Sequence, residues 1–215
     1  MIKAAIFDLD GTLLDSNGMW NDLAGRYLRS LGKTPAPDLY KRLREFSLEC
    51  SAKIVKSEYC LSFSEAEIME QVMELCAEFY RSEVRPKNGA RELLKRLSER
   101  NIEMKILTSS YAELAKAALE RLELIDFFNE IYGGADKSTP SAFLSASPNP
   151  HETLVFDDAL YAVKSAKAAG FTVCAVYDET EKNAEELRKT ADLYRQNVGD
   201  YVMDIDEILK VAEKR

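Results

Sequence analysis

Histidine is nearly absent from this chain. His151 is the only one in 215 residues, so no imidazole cluster is available for a soft-metal site. Cysteine is sparse as well: Cys50, Cys60, Cys76 and Cys174 include no Cys-x-x-Cys pair, and three of them fall in a region of helical pattern. They most simply fill apolar space, and a reduced compartment fits best. No stretch approaches 18 apolar residues, and the opening MIKAAIFDLDG is a short apolar run broken by acids. A membrane span and a secretory signal are therefore not expected, and a cytoplasmic location is. Positive charge is in deficit, with 29 Lys and Arg against 37 Asp and Glu, a formal charge of -8. Non-specific attraction to nucleic acid or an anionic membrane surface is not expected on that ground, so neither is taken as a partner, and an anionic small molecule needs local positive charge or a metal. With only 9 Gly and 6 Pro, collagen-like and low-complexity chains are excluded too.

What is present is an ordinary globular composition, 46% hydrophobic and 31% charged. A chain of this length makes one or two domains and buries about 70% of its accessible surface on folding, so no disulfide or metal staple is needed for stability. Ile2 to Leu9 reads as a buried strand, apolar on both faces and closed by the turn Asp10-Gly11-Thr12, as in the centre of a parallel sheet. From Asn17 to Arg85 the pattern becomes amphipathic and helical, in segments near Met19 to Leu31, Pro37 to Leu48, Ser51 to Cys60 and Glu65 to Arg81. Ser64 followed by Glu67 is a capping box for the last of these. After Pro86 strands and helices alternate: helix Gly89 to Glu99, strand Glu103 to Leu107, helix Glu113 to Leu122, and a strand from Glu130 closing at Tyr132. Strand Thr153 to Phe156, helix Leu160 to Ala169, strand Thr172 to Val176, a weak strand at Tyr201-Val202 and helix Ile205 to Ala212 complete it. The expected fold is α/β: a Rossmann-like parallel sheet formed by 1–16 and 86–215, with 17–85 inserted as an all-helical cap.

Three strand ends carry polar residues: Asp8 and Asp10, Thr108 and Ser109, and Asp157 and Asp158. Open parallel sheets bind ligands beyond the carboxyl ends of their strands, so these groups can converge. Carboxylates from two loops with backbone carbonyls make a hard-oxygen site suited to Mg²⁺. A carboxylate beside that ion can attack phosphorus to form an aspartyl-phosphate, and a second acid two residues on can protonate the leaving oxygen and later deprotonate water. Gly11 lets backbone N–H groups approach a phosphoryl oxygen, while Thr108, Ser109 and the Lys137 ammonium can hold the others.

These residues resemble the haloacid dehalogenase-like phosphohydrolase superfamily. FDLDGTLLDS, from Phe7 to Ser16, matches its first motif closely; Leu107-Thr108-Ser109 resembles the second, Lys137 in DKSTPSAF the third, and Val155 to Asp158 the fourth. The resemblance implies Asp8 as nucleophile and Asp10 as general acid/base, with Thr108 and Lys137 catalytic and phosphate-binding alongside Gly11 and Ser109. It implies Mg²⁺ held by Asp8, the Asp10 carbonyl, Asp158 and, in part through water, Asp157. It also implies the branch with a helical cap, that of phosphoglycolate phosphatases and β-phosphoglucomutase, where cap closure excludes water and cap side chains select substrate. The third motif departs from Gly-Lys-Pro as Asp136-Lys137-Ser138, its later aspartate is Ser141, and Ala159 and Ala162 replace the serine and glycine after the fourth-motif acids.

Simpler readings stand beside these. Asp157 and Asp158 can be turn acids, Thr108 and Ser109 helix caps, and Lys137 a loop lysine. In the cap, Arg26, Arg29, Lys41, Arg42, Arg44, Lys53 and Lys56 could include an anion clamp, although basic residues on helices are mostly solvated. Trp20 and Tyr27, seven apart, fit cap core or the seam between cap and core. The expected function is a Mg²⁺-dependent phosphatase of a small phosphorylated metabolite, sugar phosphates among the candidates, in a monomer or weak dimer. A β-phosphoglucomutase-like mutase and a catalytically weak phospholigand-binding protein are the alternatives.

Overall fold

The computed structural model describes residues 1–43 and 46–213, and divides into two compact units, 1–16 with 84–215 and 17–83. The first strand, β1, spans Ala4–Phe7 and is buried throughout. The chain then enters the helical unit: α1 Asn17–Ser30, α2 Leu39–Leu43, α3 Leu48–Glu58 and α4 Glu65–Glu78, followed by a π turn at Phe79–Glu83. Back in the first unit come α5 Ala90–Ser98, β2 Glu103–Leu107, α6 Ala112–Arg121, β3 Glu130–Tyr132, α7 Pro140–Ala146 and β4 Thr153–Asp157. Then follow α8 Leu160–Ala168, β5 Thr172–Val176, α9 Ala184–Thr190, β6 Leu193–Arg195 and α10 Tyr201–Glu213.

The sheet is parallel at every pairing, in the order β3-β2-β1-β4-β5-β6. Strand order reverses at β1, the topological switch point where such sheets bind ligands. β4 and β5 are buried at every residue, as strands covered on both faces must be. Register sets Phe7 beside Phe156, their rings stacked at 4.5 Å, with Tyr201 edge-on to Phe156 at 5.3 Å. Helix α5 buries Ala90, Leu93, Leu94 and Leu97, the spacing of a single apolar stripe. Gly89 before it has φ 78°, and a Cβ there would sit 2.3 Å from the Gly199 Cα, so the two chain segments meet through glycine alone.

The helical unit packs Tyr27, Leu28, Leu39, Leu43, Ala52, Val55, Leu61, Ile68 and Val72 into its own apolar core. Its Ser64 caps α4 as expected, the hydroxyl accepting the Glu67 N–H while the Glu67 carboxylate accepts the Ser64 N–H. Of the helix expected from Pro37 to Leu48, the described residues show α2 at Leu39–Leu43 and the start of α3 at Leu48, while 44 and 45 lie outside the described residues. Among described residues, no helix is long and apolar enough to cross a membrane.

At the carboxyl end of the chain the expectation fails. Tyr201 and Val202 are not a strand but the start of α10. Their β propensity yields to tertiary context: the capped turn at Asn197–Asp200 starts a helix, and Tyr201 is buried with its hydroxyl donating to the Ala175 carbonyl. The sixth strand is Leu193–Arg195, three half-buried residues with no alternation to reveal them.

Candidate active site

Four of the strand ends carry the polar residues to one edge of the sheet. Asp8 follows β1, Thr108 follows β2, Asp157 closes β4 with Asp158 behind it, and Lys137 lies in the loop after β3. Parallel pairing continues past the strands: the Asp8 N–H donates to the Phe156 carbonyl at 2.8 Å and the Thr108 N–H to that of Tyr132 at 2.9 Å. The Ala135 N–H in turn donates to the Thr108 carbonyl at 3.0 Å, drawing the Lys137 loop against β2.

Carboxylate oxygens of Asp8, Asp157 and Asp158 lie within 4.8 Å of one another, all buried. The Lys137 ammonium, itself 3% exposed, bridges two of them, donating to Asp8 Oδ1 at 2.5 Å and Asp157 Oδ2 at 2.8 Å. The second Asp157 oxygen accepts the Ala159 N–H ahead of α8, and Asp158 Oδ1 accepts the Thr12 hydroxyl at 3.1 Å. One ammonium against three carboxylates leaves a deficit of positive charge. Burial, then Asp157, pushes the Asp158 pKa up to about 7 despite Lys137 and Lys87. Burial likewise holds Asp8 well above the usual carboxylate range against the pull of Lys137, with Asp157, Asp158 and Asp10 adding to the rise. Burial works against the charge on Lys137, but Asp157 and Asp8 outweigh it and keep the ammonium protonated. Three clustered hard oxygens short of countercharge are the donor set that a divalent cation such as Mg²⁺ satisfies.

Asp10 is turned elsewhere. Its two carboxylate oxygens accept hydroxyls, Oδ1 from Ser16 and Oδ2 from Ser110, each at 2.6 Å. Gly11 has φ 86°, and its N–H donates to the Leu14 carbonyl inside the turn that the Leu13 and Leu14 N–H groups close onto Leu9. Thr108 is buried and its hydroxyl accepts the Ser110 N–H at 3.1 Å, whereas Ser109 is exposed and donates its hydroxyl to the Ala135 carbonyl.

Sequence reasoning did not single out six residues around this cluster. Ser16 stood within the first motif and Ser110 directly after the second, but a serine hydroxyl gives no signal until its acceptor is known. Tyr161, half-exposed, places its hydroxyl 3.5 Å from that of Ser109. Lys87 forms a largely buried ion pair with Asp178 at 2.7 Å, and Glu181 on the same loop accepts the Leu160 N–H at the start of α8. In the helical unit three of the cap basic residues are paired on the surface: Arg26 with Glu83, Arg29 with Asp22, and Arg42 with Glu58 through both terminal guanidinium nitrogens. Arg44 lies outside the described residues. Trp20 donates its indole N–H to the Tyr80 hydroxyl, and Tyr27 is buried with its hydroxyl on Gln71.

Residues 5–176 match the family model described as haloacid dehalogenase-like hydrolase. The chain belongs to that family. It is 32% identical to a validoxylamine A 7'-phosphate phosphatase of Streptomyces hygroscopicus subsp. limoneus, over 87% of this chain and 90% of that one. It is 25% identical to a phosphorylated carbohydrates phosphatase of Thermotoga maritima, over 79% of this chain and 82% of its relative. Among solved structures, a family IA, variant 3 haloacid dehalogenase hydrolase of Entamoeba histolytica superposes with a TM-score of 0.76 at 22% identity, covering 99% of this chain and 100% of the other. This haloacid dehalogenase-like hydrolase therefore has its family's α/β fold together with an aspartate-based site at the switch point of the sheet.

Proposed function

We propose that the protein is a Mg²⁺-dependent phosphatase of a small phosphorylated metabolite, working through an aspartyl-phosphate on Asp8. The observation that carries this reading is the buried Lys137 bridge between Asp8 and Asp157, with Asp158 completing the oxygen cluster. A lone buried carboxylate would be expensive; three of them around one ammonium make a site that accepts a cation and an anionic group together. The phosphatase names of two relatives support the same class.

In this reading Asp8, Asp158 and the Asp10 carbonyl would hold Mg²⁺, with Asp157 contributing in part through water, and the ion would supply positive charge for the phosphoryl oxygens. Lys137 holds Asp8 in place and offers its ammonium to an equatorial oxygen. The Thr108 hydroxyl, Ser109 and the backbone of the Gly11 turn serve the remaining oxygens, stabilising charge as it spreads in transfer. An Asp8 oxygen attacks phosphorus, the ester P–O bond breaks, and Asp10 gives its proton to the departing oxygen. Water then attacks the same phosphorus, gives a proton to Asp10, and the bond to Asp8 breaks to release phosphate and restore both acids.

Phosphate release from a panel of sugar phosphates, nucleotides and small organic phosphates, with and without Mg²⁺, tests the proposal. The expected result is metal-dependent release that falls by about 10³-fold or more in D8N. Retained turnover in D8N sinks the mechanism. Isomerisation of a sugar phosphate without net release reassigns the site to a mutase, and tight binding without turnover reassigns it to a phospholigand-binding protein.

A further inference from the structure

We infer that Ser110 is a positioning residue for proton transfer, fixing with Ser16 the plane of the Asp10 carboxylate; the inference rests on the reading of Asp10 as general acid/base given above. The torsion that turns an aspartate carboxylate is broad and holds no single orientation by itself. Here each oxygen has its own hydroxyl donor, Ser16 on Oδ1 and Ser110 on Oδ2, both at 2.6 Å, at the short end of O–H···O hydrogen bonds. One donor would leave the group free to swing about that contact. Two, one to each oxygen, set the plane.

Both donors are themselves held. Ser16 is fully buried. Ser110 donates its N–H to the Thr108 hydroxyl at 3.1 Å and accepts the Gly134 N–H on its carbonyl at 2.8 Å. The Ser110 bond thus ties Asp10 to a segment 100 residues away that also carries Thr108, so the proton-transferring acid and a proposed phosphate ligand share one frame. A carboxyl group has acceptor capacity beyond two such bonds and, when protonated, an O–H to donate, so two hydroxyls orient it and do not by themselves exhaust it.

An oriented acid matters in proportion to the basicity of the leaving oxygen. An alkoxide needs the proton as the ester bond breaks, whereas p-nitrophenolate departs without it. In formation of the phospho-enzyme, loss of orientation must therefore appear selectively by leaving group, which a merely structural defect would not produce, whereas the later attack of water, in which Asp10 takes a proton, is common to both esters. The test compares wild type, S110A, S110T and D10N on p-nitrophenyl phosphate and on the alkyl monoester that the panel shows to be turned over fastest. In single turnovers with enzyme in excess, S110A is expected to release the alcohol of the alkyl ester about ten-fold more slowly and p-nitrophenolate within about two-fold of wild type, with KM and the melting temperature unchanged. D10N shows the same selectivity more strongly in that first step while losing steady-state turnover of both esters, and S110T restores the alkyl rate. S110C keeps the side-chain volume with a poor donor and should behave as S110A, which covers the case of an alanine variant that does not fold. Equal slowing of leaving-group release from both esters in single turnovers, a change confined to KM, or no loss overturns the role of Ser110 while leaving the phosphatase reading intact. Absence of phosphate release by wild type is the separate failure of that reading.

Discussion

In the α/β unit, Asp8, Lys137, Asp157 and Asp158 are each 5% exposed or less, while the described residues of the helical unit include no buried charged side chain. The two units come from one chain of ordinary composition, yet one spends stability on desolvated charge and the other collects hydrocarbon. Buried ion clusters gain little over well-packed apolar groups, so a fold keeps one where its geometry is used. Apolar helix faces, by contrast, tolerate many sequences of the right volume and period, and their identity says little about chemistry.

Replacing Lys137 by Met should widen this contrast most. It leaves three buried acids without their ammonium and should cost about 3 kcal/mol of unfolding free energy at pH 8, less at pH 5, where protonation of the acids substitutes for the lost charge. Denaturant titrations at the two pH values check it, and equal losses would mean that the cluster is solvated.

A smaller effect is expected in the unaltered protein. Asp158, with a pKa of about 7 in the folded state against an ordinary carboxylate value when unfolded, binds its proton more tightly when folded. Its contribution to stability is thus full below about pH 4 and is lost as pH rises through about 7. Metal-free protein in EDTA should melt lower at pH 8 than at pH 5.5, and added Mg²⁺ should reverse the drop at pH 8; a melting temperature indifferent to both would place the charge excess elsewhere.

The helical unit supplies the smallest effect. S64A removes one side of the α4 capping box and should cost about 1 kcal/mol, the same at both pH values and with or without Mg²⁺. A pH-dependent cost there would break the comparison, since it would give the helical unit a titrating centre of its own.

The same contrast governs what could be read in advance. Asp8, Asp157 and Thr108 were legible because parallel strands deliver their last residues to a common edge, and a run such as VFDD marks that edge by its abrupt change from apolar to acidic. The family to which the chain belongs, and the parallel sheet, followed from the same residues. The Lys87–Asp178 pair and the Ser110 tether were not legible, because each joins segments whose proximity depends on crossover packing and not on any local pattern. β6 is too short to show a period, and the β-type residues Tyr201 and Val202 belong to a helix because the turn before them is capped. In the cap, helix was legible and its bounds less so: among the described residues α2 is anchored where Leu39 and Leu43 find apolar partners.

The chain has a single tryptophan, and it lies in the helical unit, its indole N–H donating to Tyr80 at 2.9 Å. Its emission is therefore an optical label that nature has already placed: selective excitation reports on the surroundings of residues 17–83 and is silent about the tryptophan-free unit. Ligand titrations and unfolding followed by that signal, beside circular dichroism of the whole chain, would resolve the two units without attaching a dye.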